Sequence, residues 1–187
     1  MWKLFILCLL NFSEAYHNIS ASCEFYVGPN DKPACALSSA FVIKNDQNVD
    51  IKNSRFLRWT NQKIVYLNAF DSVLHYIPSA IFTRFPNLEH LILEEVYVTT
   101  IEHGSFVNCS KLKYLSLARN NLSSIPDGAF ESCTEIMEIN LSSNDLKLIA
   151  SDAFRGLSNL QTLNLENNKL ESNQPQLSAI TGLKFLN

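Results

Sequence analysis

The side chains that could do chemistry in this sequence are few, and their spacing does not bring them together. The four histidines are His17, His75, His90 and His103. They stand at unrelated positions of the repeat described below, so they predict neither a metal site nor a catalytic base. Glu94 and Glu95, the adjacent acidic pair of the repeats, come where a predicted strand ends, which favours a solvated rim. No GxSxG, HExxH or phosphate-loop motif occurs, and we expect no enzyme activity, metal or cofactor.

Residues 1–15 are predicted to be a secretory signal peptide. Lys3 precedes an apolar run from Leu4 to Leu10, and Ser13-Glu14-Ala15 provides a small-x-small cleavage site. The run is far shorter than the about 20 apolar residues that a membrane span needs. We therefore expect a secreted, extracellular protein with no membrane span in this chain. Four N-x-S sequons beyond the cleavage site are predicted glycosylation sites: Asn18, Asn108, Asn121 and Asn140.

Secretion makes the cysteine pattern meaningful, because four cysteines remain in an oxidising compartment after cleavage. A bridge between Cys23 and Cys35 would close a short loop and stabilise it by about 3 kcal/mol. We expect this bridge rather than free or metal-bound thiols, because no histidine or second cysteine pair stands at ligand spacing. Cys109 and Cys133 fall in a core column of the repeat, which favours buried free thiols. A bridge between neighbouring repeats is nevertheless sterically conceivable.

A 24-residue repeat organises the chain from position 64. Each cycle opens with an LxxLxL segment, at Ile64, Leu88, Leu112, Ile136 and Leu160. A phenylalanine column holds Phe82, Phe106, Phe130 and Phe154, and an asparagine column holds Asn120, Asn144 and Asn168, with Ser72 and Val96 in the two earlier cycles. LxxLxL predicts a short strand that buries its apolar face by stacking on the next repeat. The asparagine amides can bond main-chain groups of adjacent turns, and the phenylalanines predict a stacked spine. An amphipathic helix would not restart in phase at every one of these cycles.

This pattern resembles the extracellular leucine-rich-repeat family. The segment LKYLSLARNNLSSIPDGAFESCTE, residues 112–135, matches the consensus of that family nearly throughout. The resemblance covers residues 64–187 and implies a leucine-rich-repeat solenoid, an α/β-type horseshoe segment with a parallel β-sheet on the concave face and an irregular convex side. The stretch NQKIVYLNAFDSVLHYIPSAIFTRFPNLEHLIL is similar to secreted leucine-rich immune proteins of mosquitoes. That similarity implies innate immunity and complexes with complement-like proteins.

The two ends of the array differ from its middle. Residues 16–63 lack the 24-residue phase and are predicted to form a disulfide-bearing N-terminal cap over the first hydrophobic layer. The predicted domains are thus a signal peptide at 1–15, a cap at 16–63, and five repeats with the start of a sixth at 64–187. After Leu170 comes a shorter unit, and the chain then stops without the closing cysteine cluster or coiled coil of the mosquito proteins. We expect a fragment, a truncated gene product, or an array whose end a partner covers.

A concave face of parallel strands suits protein recognition, and its N-terminal half is the predicted binding surface. Tyr66, His90 and Tyr114 share one outward column and should stack across three strands. The alternative is that this column only stabilises the sheet. The predicted partner-binding residues are Tyr66, Phe70, His90, Ile92, Glu94, Glu95, Tyr114 and Arg119. A glycan on Asn140 would obstruct the fourth repeat.

The function predicted from these observations is recognition of an extracellular protein ligand in innate immunity. The alternative is a fragment of a receptor or matrix ectodomain in signalling or adhesion. The formal net charge of −3 argues against nucleic acid or an anionic membrane as the main partner.

Overall fold

The computed structural model of the chain describes residues 18–38, 41–42, 48–53, 64–171 and 185–186, with side chains at 28–36 and 64–171. The predicted signal peptide at 1–15 and most of the shorter unit after Leu170 lie outside the described residues. In chain order the elements are β1 (Asn18–Val27), a 3-10 turn (Pro29–Asp31), β2 (Pro33–Ser38), β3 (Phe41–Val42), β4 (Asn48–Asn53), β5 (Tyr66–Phe70), β6 (Val73–Leu74), α1 (Ala80–Arg84), β7 (His90–Leu93), β8 (Tyr114–Ser116), β9 (Ser124–Ile125), β10 (Glu138–Asn140), β11 (Leu148–Ile149), β12 (Thr162–Asn164) and β13 (Phe185–Leu186).

The main sheet has nine strands in the order β13-β12-β10-β8-β7-β5-β2-β1-β4. From β2 to β13 the neighbouring strands are parallel. Each LxxLxL segment supplies one strand, and its central apolar residues pair side by side: Leu67, Leu91, Leu115, Ile139 and Leu163. These side chains are buried, since alternate residues of a strand point to one face and the stacked coils cover that face. The predicted solenoid of stacked coils with a parallel sheet is confirmed.

The sheet extends into the segment that lacks the 24-residue phase. Strand β2 pairs in parallel with β5, and Cys35 lies opposite Leu67. The coil that joins the two strands is therefore longer than the later coils, and the β3–β6 pair keeps the same offset, with Phe41 opposite Val73. Strand β1 then runs antiparallel to β2 and parallel to β4. A search at the period of the later coils cannot find this first coil, because its length differs.

The phenylalanine spine forms as predicted on the side of the coils away from the main sheet. Ring centroids are 5.9 Å apart for Phe82 and Phe106, 5.1 Å for Phe106 and Phe130, and 5.7 Å for Phe130 and Phe154. All four rings are buried. Because each ring fills the space between two coils, the column fixes the spacing of the convex side much as the strands fix the sheet.

The asparagine column bonds successive coils to one another, as predicted. The Asn120 Oδ1 accepts from the N–H groups of Val96 at 3.2 Å and Val98 at 2.9 Å, and its Nδ2 donates to the Leu93 carbonyl at 2.7 Å. Asn144 and Asn168 repeat this arrangement one and two coils later. The residue before each position of this column adopts a left-handed conformation, with φ between 51° and 57°, at Asp71, Glu95, Arg119, Ser143 and Asn167.

A disulfide joins Cys109 to Cys133, so the expectation of two free thiols was wrong. Both residues are buried, as expected. Their Cα atoms are 4.8 Å apart, which is the separation of neighbouring coils in a solenoid and lies within the reach of a disulfide. Two cysteines in the same column of adjacent repeats are therefore close enough to form a disulfide.

The second pair of cysteines lies at the start of the sheet. Cys35 is buried and disulfide-bonded. Cys23 belongs to β1, where it lies opposite Leu37 of the antiparallel strand β2. The Cys23 side chain lies outside the described residues, so the Cys23–Cys35 bridge stays a prediction.

Candidate protein-binding face

The open face of the main sheet carries a column of three aromatic rings. The strand register places Tyr66 opposite His90, and His90 opposite Tyr114. The Tyr66 and His90 rings stack with centroids 4.1 Å apart and planes 12° apart, whereas His90 and Tyr114 are 5.8 Å apart and tilted by 31°. The predicted stack across three strands is confirmed, because parallel strands in register bring identical repeat positions side by side.

Tyr66 does not present its ring to a partner, contrary to the expectation for this residue. Only 8% of its surface is exposed. The turn that joins β1 to β2 lies against it, since a Cβ placed on Gly28 would stand 3.6 Å from the Tyr66 Cδ2. His90, Ile92 and Tyr114 are half-buried. The accessible part of the face therefore begins at His90. Tyr66 is buried and stacks on the side of the His90 ring that faces β5.

An ion triplet fastens the same turn to the sheet. The Glu89 carboxylate lies 2.8 Å from the Lys32 Nζ and 3.5 Å from the Lys113 Nζ. The hydrogen bond from Lys32 holds the pKa of Glu89 below its usual value, and the same bond raises the pKa of Lys32. Sequence reasoning missed this contact because Lys32 is far from Glu89 along the chain and lies outside the 24-residue phase.

Burial sets the charge of the aromatic column. It lowers the pKa of His90, so the imidazole is neutral at pH 7, and it raises the pKa of Tyr114, so the phenol stays protonated. The column is thus an uncharged surface between charged neighbours. Such a surface can contact apolar groups of a protein while the tyrosine hydroxyl and the imidazole retain hydrogen-bonding capacity.

The exit side of the face is a charged rim, as predicted, but its two glutamates differ. Glu95 is exposed and forms an ion pair with Arg119, with the Arg119 Nη1 2.8 Å from the carboxylate. Glu94 is half-buried and accepts a hydrogen bond from the hydroxyl of Ser116, a residue that is fully buried. Phe70 occupies the same repeat position as Glu94 one coil earlier and is exposed. The exposed surface at the ends of strands β5, β7 and β8 therefore combines an aromatic side chain with charged ones.

The later strands present a polar surface. In the aromatic column the next residues are Glu138 and Thr162. Asn140 lies on β10 as predicted and is half-buried, and its Oδ1 accepts from the Ser142 N–H at 3.1 Å and the Ser142 hydroxyl at 2.7 Å. Glycosylation of Asn140 stays a prediction.

The described part of the chain contains neither a metal-ligand cluster nor a membrane-spanning helix. Among the side chains at 28–36 and 64–171, no group of three or more His, Cys, Asp and Glu residues could hold a metal ion. Within the described residues no helix has the length and hydropathy to cross a bilayer.

Comparison with known proteins bears on the fold. A family model described as leucine rich repeat matches residues 70–122, 86–146 and 110–170. No curated protein matches the chain. Among solved structures the LRIM1/APL1C complex is similar, with a TM-score of 0.61 and 23% identity over 89% of this chain and 34% of that chain.

Two further solved structures show the same likeness. The APL1 leucine-rich repeat domain aligns with a TM-score of 0.59 and 24% identity, over 88% of this chain and 46% of that chain. The Toll–Spatzle complex, described as a hub in Drosophila development and innate immunity, aligns with a TM-score of 0.60 and 21% identity, over 78% of this chain and 21% of that chain. The chain thus spans less than half the length of each of these proteins.

Proposed function

Because the chain belongs to the leucine-rich-repeat family, we propose that it is a secreted module that binds an extracellular protein on the open face of its sheet, in innate immunity. One observation carries the proposal. Half-buried His90, Ile92 and Tyr114 form a continuous surface on two adjacent strands, with paired charges on both sides.

The composition of this surface favours a protein ligand. Binding energy in protein interfaces concentrates on aromatic and arginine side chains at a desolvated centre, inside a polar rim that excludes water. Here Tyr114 and His90 form an uncharged centre, while Glu89 with its two lysines and the Glu95–Arg119 pair form the rim. A sheet built from rigid stacked coils also presents these groups without a large ordering cost.

Two further observations support the setting. The sequence begins with a predicted signal peptide and contains paired cysteines, and the similar structures include the Toll–Spatzle complex, described as a hub in innate immunity. The proposed partner class is a complement-like extracellular protein, from the resemblance to mosquito immune proteins. The alternative, a fragment of a receptor or matrix ectodomain in signalling or adhesion, rests on the same fold and the similarity to Toll.

Site-specific photocrosslinking tests the face. A photoreactive phenylalanine replaces Ile92 in the secreted chain, which is then added to the extracellular fluid of the source organism. The matched control carries the same group at Leu148, which is exposed on the two-stranded sheet of β9 and β11. We expect one crosslinked protein at position 92 and none at 148. A complement-like partner supports the immune setting, and a receptor or matrix protein supports the alternative.

A substitution pair then measures the contribution of the aromatic centre. Tyr114→Ala should weaken binding of the crosslinked partner by at least about 2 kcal/mol, or roughly 30-fold. Thr162→Ala, in the same column three strands from His90, should leave binding unchanged. If Tyr114→Ala lowers the melting temperature and leaves affinity unchanged, the column serves the sheet alone and the proposed face is wrong.

A further inference from the structure

Tyr97 combines two unfavourable features on the edge of the solenoid. It is the most exposed of the large hydrophobic residues in the described part of the chain, at 58%. Its backbone is left-handed, with φ at 66°, a conformation that is an outlier for a bulky side chain. Strain of this kind persists where the surrounding structure enforces it, and it concentrates at functional positions. The combination of exposure and a left-handed backbone makes Tyr97 a candidate for contact with a further group.

The repeat places a sequon beside this ring. Asn121 occupies the position of Tyr97 one coil later, and its N–H donates to the carbonyl of Val98 at 2.9 Å. Two later members of this column form an ion pair, with the Lys169 Nζ 2.5 Å from the Asp145 carboxylate, and Tyr97 differs from both in its left-handed backbone. The Asn121 side chain is exposed, whereas Leu122 after it is buried. The carboxamide of Asn121 is thus accessible, one coil along from the exposed ring of Tyr97.

We propose that Asn121 carries an N-linked glycan whose first N-acetylglucosamine packs on the ring of Tyr97. The proposal rests on the secretion included in the proposed function. The apolar C–H face of a sugar ring fits an aromatic ring, and its burial there removes the exposed phenol from water. This contact accounts for an aromatic residue at a position that is aliphatic, polar or charged in the other coils.

The modification is a balanced group transfer. The Asn121 Nδ2 forms a bond to the anomeric carbon of the sugar, and the bond from that carbon to a lipid-linked pyrophosphate breaks. The lipid pyrophosphate leaves with the bonding electron pair, and the amide proton passes to a base of the oligosaccharide transferase. The co-substrate is a lipid-pyrophosphate oligosaccharide of the secretory pathway.

The other sequons with described side chains lack this arrangement. Asn108 is exposed, but the residues at its position in the adjacent coils are Arg84 and Ser132. Asn140 is half-buried, and the residues at its position in the neighbouring coils are Ser116 and Asn164. An aromatic platform at the matching position of the neighbouring coil is therefore specific to Asn121 among these three sites, and Asn108 provides a matched control.

A thermal double-mutant cycle on the full chain secreted from eukaryotic cells tests the proposal. The variants are Tyr97→Ala, Ser123→Ala, which removes the sequon and keeps Asn121, and the two combined. Glycopeptide mass spectrometry should find Asn121 occupied. Ser123→Ala should lower the melting temperature by about 2 °C when Tyr97 is present and should have no effect when it is absent. Ser110→Ala, which removes the Asn108 sequon, should give the same shift in both backgrounds.

Enzymatic trimming isolates the first sugar. An endoglycosidase that leaves one N-acetylglucosamine on Asn121 should preserve the melting temperature, since that sugar makes the contact. Unmodified Asn121 in a secreted chain, or an equal shift with and without Tyr97, overturns the proposal and leaves the protein-binding face untouched. Retention of the chain inside the cell with no sequon modified instead overturns the secretion on which both proposals depend.

Discussion

The first two cycles of the array, residues 64–111, satisfy one repeated main-chain donor in two ways, whereas the later cycles, residues 112–171, satisfy it with asparagine side chains. In the later cycles the N–H groups of Leu122 and Leu146 donate to the Oδ1 atoms of Asn144 and Asn168, at 3.0 and 3.1 Å. In the first cycle the equivalent N–H, that of Leu74, donates to the main-chain carbonyl of Val96 at 2.7 Å. In the second cycle the N–H of Val98 donates to the Oδ1 of Asn120 at 2.9 Å, as in the later cycles. The fold therefore needs an acceptor at this point and not an asparagine as such.

The early cycles also contain several side chains that depart from the regular repeat. Phe70, Tyr97 and the ion-paired Glu89 all lie within them, whereas the later strands β10 and β12 carry Glu138 and Thr162 in the aromatic column. Departures from a structural consensus tend to fall where a surface has another role. The proposed binding face spans the boundary between the two regions, with His90 in the early cycles and Tyr114 in the later ones.

Removal of the disulfide that joins the two regions should give the largest change in the free energy of unfolding. Replacing both Cys109 and Cys133 by alanine opens a link between adjacent coils, which should lower the free energy of unfolding by about 3.5 kcal/mol on the chain-entropy model. Chemical denaturation monitored by circular dichroism measures the change.

Both cysteines are buried, so their replacement by alanine also removes side-chain volume from the core. Reduced protein is the control for this loss, because reduction opens the bond and keeps both sulfur atoms. The wild type and the double variant, both reduced, should unfold at similar denaturant concentrations, because reduction opens the disulfide of Cys35 in both. If the variant is as stable as the oxidised protein, the link does not hold the early cycles to the later ones.

Asn144→Ala tests the role of the asparagine column, and we expect a loss of stability smaller than that from removing the disulfide. It leaves the N–H of buried Leu122 without its Oδ1 acceptor, and an unsatisfied buried donor costs about 2 kcal/mol. Amide hydrogen exchange should accelerate at Leu122 and stay unchanged at Leu74, whose acceptor is a main-chain carbonyl.

Asn164→Ala is the matched control for this measurement. The Asn164 Oδ1 accepts from the Glu166 N–H in an exposed turn at 2.9 Å, so its loss should change stability by less than about 0.5 kcal/mol. Equal effects of the two substitutions would show that the asparagine column contributes no more than a surface turn, and the contrast between early and later cycles would disappear.

The sequence predicted those parts of the molecule that repeat. Strands β5, β7, β8, β10 and β12, the phenylalanine spine and the asparagine bonds all follow from one period, because identical residues at identical spacing must meet when coils stack. The aromatic column of the face followed for the same reason, since Tyr66, His90 and Tyr114 share a repeat position.

What the sequence did not predict depends on contacts that break the period. The turn that covers Tyr66 comes from the longer first coil, and Lys32 reaches Glu89 from outside the regular array. The Cys109–Cys133 bond obeys the period, but the choice between thiols and a disulfide needs the distance between two coils. The accessible part of the face therefore had to be found from the structure.

Glu89→Gln should give the smallest effect, because it removes an ion pair at the surface between the early cycles and the turn before β2. The folded-state pKa of Glu89 is lowered by Lys32, so the stabilisation is complete above the ordinary glutamate pKa of about 4.3 and is lost as the pH falls through the lowered value. The pKa of Lys32 is raised, so the ion pair persists at high pH until the pH exceeds the ordinary lysine pKa. Because Lys32 is partly exposed and solvent screens the pair, we expect at most about 1 kcal/mol at pH 7.

Unfolding free energies of the wild type and Glu89→Gln, measured from pH 7 down to pH 3, should converge as the pH falls. Glu95→Gln is the matched control, because the Glu95–Arg119 pair is as short, at 2.8 Å, but its side chains are 63% and 65% exposed. Its curve should follow that of the wild type at every pH, since ion pairs so open to water contribute little. Convergence in both variants would mean that the turn before β2 is held no more firmly than any surface pair. Convergence in Glu89→Gln alone would show that the ion pair with Lys32 stabilises the turn that covers Tyr66. The binding face would then end at that turn on its β2 side.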